Sequence, residues 1–133
     1  MLRFGCNVQP NLAQENAVMR NSKELYVNKL SRLVKNLIDD IKLQTFPLCR
    51  IVLFGSFVEG KFTARSDLDI CCVYDNELTG EERYFIEKYF RTALGDETDL
   101  DFLYATEERV KNGLKVFKSI REEGVEIWNR IGK

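Results

Sequence analysis

Apolar residues recur along the chain with two different periods. From Ser22 onward, Tyr26, Leu30, Leu33, Val34, Leu37, Ile38 and Ile41 fall at helical spacing, the stripe of a core-facing amphipathic helix. Ser22 can cap that helix, and Phe46-Pro47 stops it. Arg50 to Phe54 is a short run with β-branched residues halted by Gly55, which predicts a buried strand. Ser56 to Phe62 reads as a turn or short helix, and Thr63-Ala64-Arg65 as a loop. Leu68 to Tyr74 is a second strand, ended by Asp75-Asn76. Thr79 caps a helix with Glu81 and Glu82 in its first turn, Phe85, Ile86, Tyr89, Phe90 and Ala93 on its inner face, and Gly95 at its close. Thr98 to Tyr104 is a third strand. Thr106-Glu107-Glu108 opens a last helical region with Val110, Leu114, Phe117 and Ile120 inward, and Gly124 separates it from a short apolar tail, Val125 to Trp128.

The order helix, strand, turn, strand, helix, strand, helix predicts a small α/β (α+β) domain, one sheet covered by helices. The pattern leaves open whether that sheet is parallel or mixed. Residues 1–21 are polar and weakly patterned. The expected division is therefore an N-terminal arm, 1–21, and one domain, 22–133.

Composition narrows the chemistry. The 133 residues suffice for one packed core. With 20 basic and 21 acidic residues, no global field draws the chain to nucleic acid, and no basic stripe suggests polymerase work. No run reaches the roughly 18–20 apolar residues of a membrane span, and the N-terminus lacks a signal-peptide layout; a cytoplasmic protein is expected. The four cysteines, Cys6, Cys49, Cys71 and Cys72, form no CxxC pair and read as reduced packing residues, with Cys71 and Cys72 on opposite faces of one strand. The aromatics Tyr84, Phe85, Tyr89, Phe90, Tyr104 and Trp128 read as core. There is no histidine. Ser-His-Asp triads, Cys-His nucleophiles and histidine-ligated zinc are thereby excluded. Catalysis must run on carboxylates, hydroxyls, lysines or a bound metal.

Two features then stand out. Asp67 and Asp69 flank Leu68 at the start of the second strand, so both carboxylates share a face while Leu68 and Ile70 turn to the core. Two like charges so close are costly without a positive partner, and a hard divalent cation such as Mg²⁺ is the economical one. Upstream, Gly55 ends the first strand and permits close approach of a ligand. Ser56 follows with free amides and a hydroxyl suited to phosphate oxygens. A third acid is available in the third strand, where Asp99 and Asp101 share a face; Asp101, set between Leu100 and Phe102, is favoured over Asp99.

Gly55-Ser56, ten residues, then Asp67-Leu68-Asp69 resembles the GS-x10-DxD signature of the polymerase-beta-like nucleotidyltransferases. The compact chain is similar to the minimal nucleotidyltransferases among them, over roughly residues 25–128. The resemblance implies the nucleotidyltransferase fold, with a mixed sheet. It also implies Mg²⁺-dependent transfer of a nucleoside monophosphate, AMP from ATP foremost, to a hydroxyl with release of pyrophosphate. Carried over by position, Gly55 and Ser56 would hold the triphosphate, with Ser66 beside them. Asp67 and Asp69 would ligate Mg²⁺, in a site for two ions, and Asp101 would be the third carboxylate. The chain departs from the pattern at Glu59, where many members are basic; Arg65 is the residue that could restore phosphate-facing charge. Larger relatives add an acceptor domain. The acceptor here would be gripped by a second copy or by another protein. Minimal nucleotidyltransferases pair with HEPN toxins as antitoxins, attaching AMP to a toxin tyrosine. Two alternatives belong to other classes: a non-catalytic module that neutralises its partner by contact, and an enzyme for a small hydroxyl compound such as an aminoglycoside.

Overall fold

The computed structural model describes residues 27–59, 67–95 and 99–130. The expected arm over 1–21, the capping Ser22, and Arg65 and Ser66 lie outside the described residues. Residues 27–39 form helix α1, followed by the single turn α2 (Ile41–Gln44), β1 (Leu48–Phe54), β2 (Leu68–Tyr74), α3 (Gly80–Leu94) and β3 (Leu100–Thr106). Then come α4 (Glu107–Asn112), α5 (Val116–Glu123) and β4 (Val125–Asn129). The sheet order is β3-β2-β1-β4, with β1 antiparallel to both β2 and β4 and β2 parallel to β3. The sheet is therefore mixed. Helix α3 links the one parallel pair, as a crossover connection must.

Both faces of the sheet are covered. On one, Leu33 and Leu37 of α1, Leu43 of α2, and Ile86, Phe90 and Leu94 of α3 pack on Ile51, Leu53, Leu68, Ile70 and Cys72. On the other, Val110 of α4 and Phe117 and Ile120 of α5 pack on Val52, Phe54, Cys71, Val73 and Ala105. Adjacent Cys71 and Cys72 thus serve opposite faces. Cys49, Cys71 and Cys72 are buried thiols outside any disulfide; burial pushes that of Cys71 up to about 12, which leaves it protonated and unreactive.

Helix α3 follows the pattern that predicted it. Thr79 Oγ1 accepts from the Glu82 amide and Glu82 Oε1 accepts from the Thr79 amide, a reciprocal capping box. Thr79→Ala should cost about 1 kcal/mol, read as a lower denaturation midpoint at unchanged slope.

Elsewhere the structure corrects the pattern. The first helix does not run on to Phe46: Asp40 leaves the helix and its carboxylate caps the Lys42 and Leu43 amides. That break shifts the helical phase, so Leu43 is buried while Ile41 is 80% exposed and Ile38 is exposed too. The last helical region is broken at Gly113, where a Cβ would lie 2.5 Å from the Phe117 ring and 2.6 Å from the Arg109 carbonyl. Leu114, expected inward, is 77% exposed in the link between α4 and α5. Tyr84, expected in the core, is also exposed. Strand β1 starts two residues early, at Leu48. The apolar tail is a fourth strand, tied down by Trp128, whose buried Nε1 donates to the Leu37 carbonyl at 3.0 Å.

Candidate active site

The site lies at one end of the sheet, on the face covered by α4 and α5. Strand alternation puts Asp69 on the same side as Cys71 and Val73, and Asp101 on the same side as Leu103 and Ala105. The parallel register sets Asp69 directly beside Asp101, within hydrogen-bonding reach. Asp99 contributes its backbone instead: its carbonyl accepts from the Leu68 amide at 2.9 Å, and it is absent from the groups acting on Asp69. Asp101 is therefore the acid that the fold brings to Asp69. Asp67, exposed just before β2, is close enough to act on it as well.

Gly55 forms the floor. Its φ of +84° is one that side chains rarely adopt, and a Cβ there would lie inside contact distance of the Asp69 carboxylate. The backbone after β1 thus passes against that carboxylate, and glycine is needed both for the turn and for the approach. Ser56 begins the turn 56–59, which closes with the Glu59 amide donating to the Gly55 carbonyl at 3.1 Å. A cleft of about 430 Å³ opens here, lined by Gly55, Asp69, Asp101, Leu103, Val116 and Ser119 among others.

The electrostatics are one-sided. Burial, then the charges of Asp101 and Asp67, an Asp101 hydrogen bond and the charge of Glu59 hold the Asp69 carboxyl above its ordinary range. The groups that act on it are acids. Among the described residues, no three acidic, cysteine or histidine side chains converge as a ready metal-ligand set. Like charges have no reason to converge without a counter-charge. The donors are all hard oxygens around a half-buried acid, and the Gly55 backbone leaves space against it, so the residues present fit a hard divalent cation. A larger cavity, about 580 Å³, lies beside Arg50, Glu107 and Arg121, and these three are already engaged. Arg50 is bidentate to Glu107 at 2.8 and 3.0 Å, and Arg121 donates to the Val110 and Gly113 carbonyls.

Two residues extend the site beyond the motif. Glu59, in sequence only a departure from a pattern, acts on Asp69 through its charge and accepts from Ser119 Oγ at 3.3 Å. Ser119 carries no signal in the sequence, because it reaches the cleft only through the packing of α5.

The family model described as "Nucleotidyltransferase domain" matches residues 34–127. No curated protein sequence matches the chain. Among solved structures, a Sulfolobus solfataricus protein described as a nucleotidyltransferase is 19% identical, with 84% of this chain and 86% of that one covered at a TM-score of 0.51; this likeness is one of fold. A toxin–antitoxin structure with AMP-PNP is 23% identical over 78% of this chain and 73% of that one, at a TM-score of 0.48. A Shewanella oneidensis complex of a tri-AMPylated HEPN toxin with an MNT antitoxin is 21% identical over 80% and 72%, at 0.43. The family match spans most of the chain, including both strands that bear the acids and the Gly55-Ser56 turn between them and the first helix: the chain belongs to the nucleotidyltransferase domain family and is an enzyme of nucleotidyl transfer.

Proposed function

We propose that the chain transfers a nucleoside monophosphate, AMP from ATP, to a hydroxyl on a partner protein, with Mg²⁺ as its cation. The observation that carries this reading is the pairing of Asp69 with Asp101 against the Gly55 backbone, where burial and neighbouring acids hold the Asp69 carboxyl above its ordinary range. Asp67, Asp69 and Asp101 would hold the metal. When bound, it supplies charge neutralisation for the phosphates. Gly55 and Ser56, with Arg65 and Ser66, would hold the triphosphate through backbone amides, hydroxyls and the guanidinium. Asp101, on the cleft side, faces the incoming acceptor hydroxyl and orients it toward the α-phosphorus. Positioning and charge neutralisation supply most of the acceleration in such transfers, so the lack of histidine is no obstacle.

The acceptor we propose is a tyrosine of a HEPN-type partner, the pairing that the motif's resemblance to minimal nucleotidyltransferases implies. Thermal unfolding with Mg²⁺ and each nucleoside triphosphate tests the site first. At 100 times its dissociation constant, a ligand stabilises by about 2.7 kcal/mol, a shift of several degrees for a domain of this size. The expected result is a magnesium-dependent shift, largest with ATP, that disappears in Asp67→Asn/Asp69→Asn. An equal shift in the double variant would place nucleotide elsewhere and sink the reading.

A further inference from the structure

We propose that Ser119 is itself an acceptor: the cleft attaches one nucleoside monophosphate to the Ser119 hydroxyl, and Glu59 takes its proton. The inference rests on the reading of the cleft as a nucleotidyl-transfer site and adds an activity to it.

Three observations converge on this residue. Ser119 lines the same cleft as Gly55, Asp69 and Asp101, so a hydroxyl, the acceptor class of the reaction, stands inside the site. Its Oγ donates to Glu59 Oε2 at 3.3 Å, and Glu59 sits on the turn that begins with Ser56. A hydroxyl paired with a carboxylate is the nucleophile–base arrangement of covalent catalysis. The helix is also held in place. Phe117 and Ile120, on either side of Ser119 in sequence, are buried against the sheet, while Arg121 ties α5 to the carbonyls of Val110 and Gly113. Val116, one turn before Ser119, joins it in the cleft wall. Held there, the hydroxyl reacts as an intramolecular group, with the rate advantage of a prepositioned partner.

The step balances. A lone pair of Ser119 Oγ forms a bond to the α-phosphorus of a nucleoside triphosphate. The bond from that phosphorus to the bridging oxygen breaks, and its electron pair leaves with pyrophosphate. The hydroxyl proton passes along the existing hydrogen bond to Glu59. The product is a phosphodiester that keeps the nucleotide in the cleft, so each chain reacts once and then excludes a second triphosphate.

The alternative is that the Ser119–Glu59 bond only latches α5 to the turn. Intact-mass measurement decides, after incubation of the full chain with Mg²⁺ and each of the four nucleoside triphosphates, with α- and γ-labelled ATP run in parallel. The expected result is an adduct of one nucleoside monophosphate carrying the α-label, mapped by peptide sequencing to Ser119. It should be absent in Ser119→Ala and Asp69→Asn and reappear, more slowly, in Ser119→Thr. Glu59→Gln, which keeps a hydrogen-bond acceptor but not a base, should slow labelling on the order of 10²-fold. An unmodified wild-type chain that still shows the magnesium-dependent thermal shift with ATP overturns self-modification and leaves the site's reading intact. So does an adduct that persists in Ser119→Ala, or one that carries the γ-label. A chain neither modified nor shifted overturns both.

Discussion

Asp69→Asn is expected to abolish transfer while leaving the unliganded protein folded and no less stable than the wild type. Asp69 is the acid that every other feature of the cleft addresses: Asp101 stands beside it across the parallel strand pair, Asp67 and Glu59 act on it, and the Gly55 backbone rests against it. Under the proposed function, replacing it with a neutral isostere removes the negative charge that would hold the cation. The loss should be on the order of 10³-fold, the scale seen when a preorganised charge-stabilising group is taken from an active site. Stability should move the other way. Its carboxyl is held above the ordinary range, by burial first and then by Asp101. The folded state therefore disfavours its ionisation, so at neutral pH its charge costs stability, and asparagine removes that cost. Labelling of a co-purified partner or of the chain itself reads the first effect, and thermal unfolding without ligand reads the second. A variant that unfolds early would show that Asp69 serves the fold, and one that retains transfer would remove it from the chemistry. Capture of the partner by the inactive variant would separate catalysis from neutralisation by contact alone.

Gly55→Ala should cost the protein both stability and activity. At φ +84° an alanine pays about 1–2 kcal/mol for the backbone conformation alone. Its Cβ would also fall on the Asp69 carboxylate, 2.9 Å from Cγ, so the turn or the acid must move. Together these predict a loss of about 2–4 kcal/mol, a drop in midpoint of roughly 5–15 °C, and loss of the nucleotide-dependent shift. Asp69→Asn/Gly55→Ala would not relieve the clash, since asparagine keeps the same shape. Asp69→Ala should restore part of the stability and none of the activity. An additive double variant would show that the two residues do not touch.

Much of this site was legible in the chain because it rests on local rules. The twofold period of a strand turns Asp69 away from Leu68 and Ile70, and β2 spans the predicted Leu68–Tyr74, with Asp67 just before it. The capping box at Thr79 uses residues three apart and needs no tertiary contact. The breaks inside the helical regions were harder to read. Asp40 can continue a helix or cap the next one, and Gly113 looks like any tolerated helical glycine until the Phe117 ring occupies its space. β4 was missed because a five-residue tail after a helix has no period of its own. It becomes a strand by hydrogen-bonding to β1, with Trp128 anchored on Leu37.

The sequence by itself therefore determined the strand faces, the cap of α3, the Gly-Ser turn, the alternating acids and the exclusion of histidine chemistry. These follow from backbone sterics and side-chain type within a few residues. Only the tertiary structure decided that Asp101 rather than Asp99 stands beside Asp69, because both share a face and the choice depends on strand register. It alone brought Glu59, sixty positions away in the chain, within hydrogen-bond distance of Ser119 at the cleft wall. Such pairings are set by the burial of distant apolar surfaces, Phe117 and Ile120 against β1 and β2, and no local period encodes them.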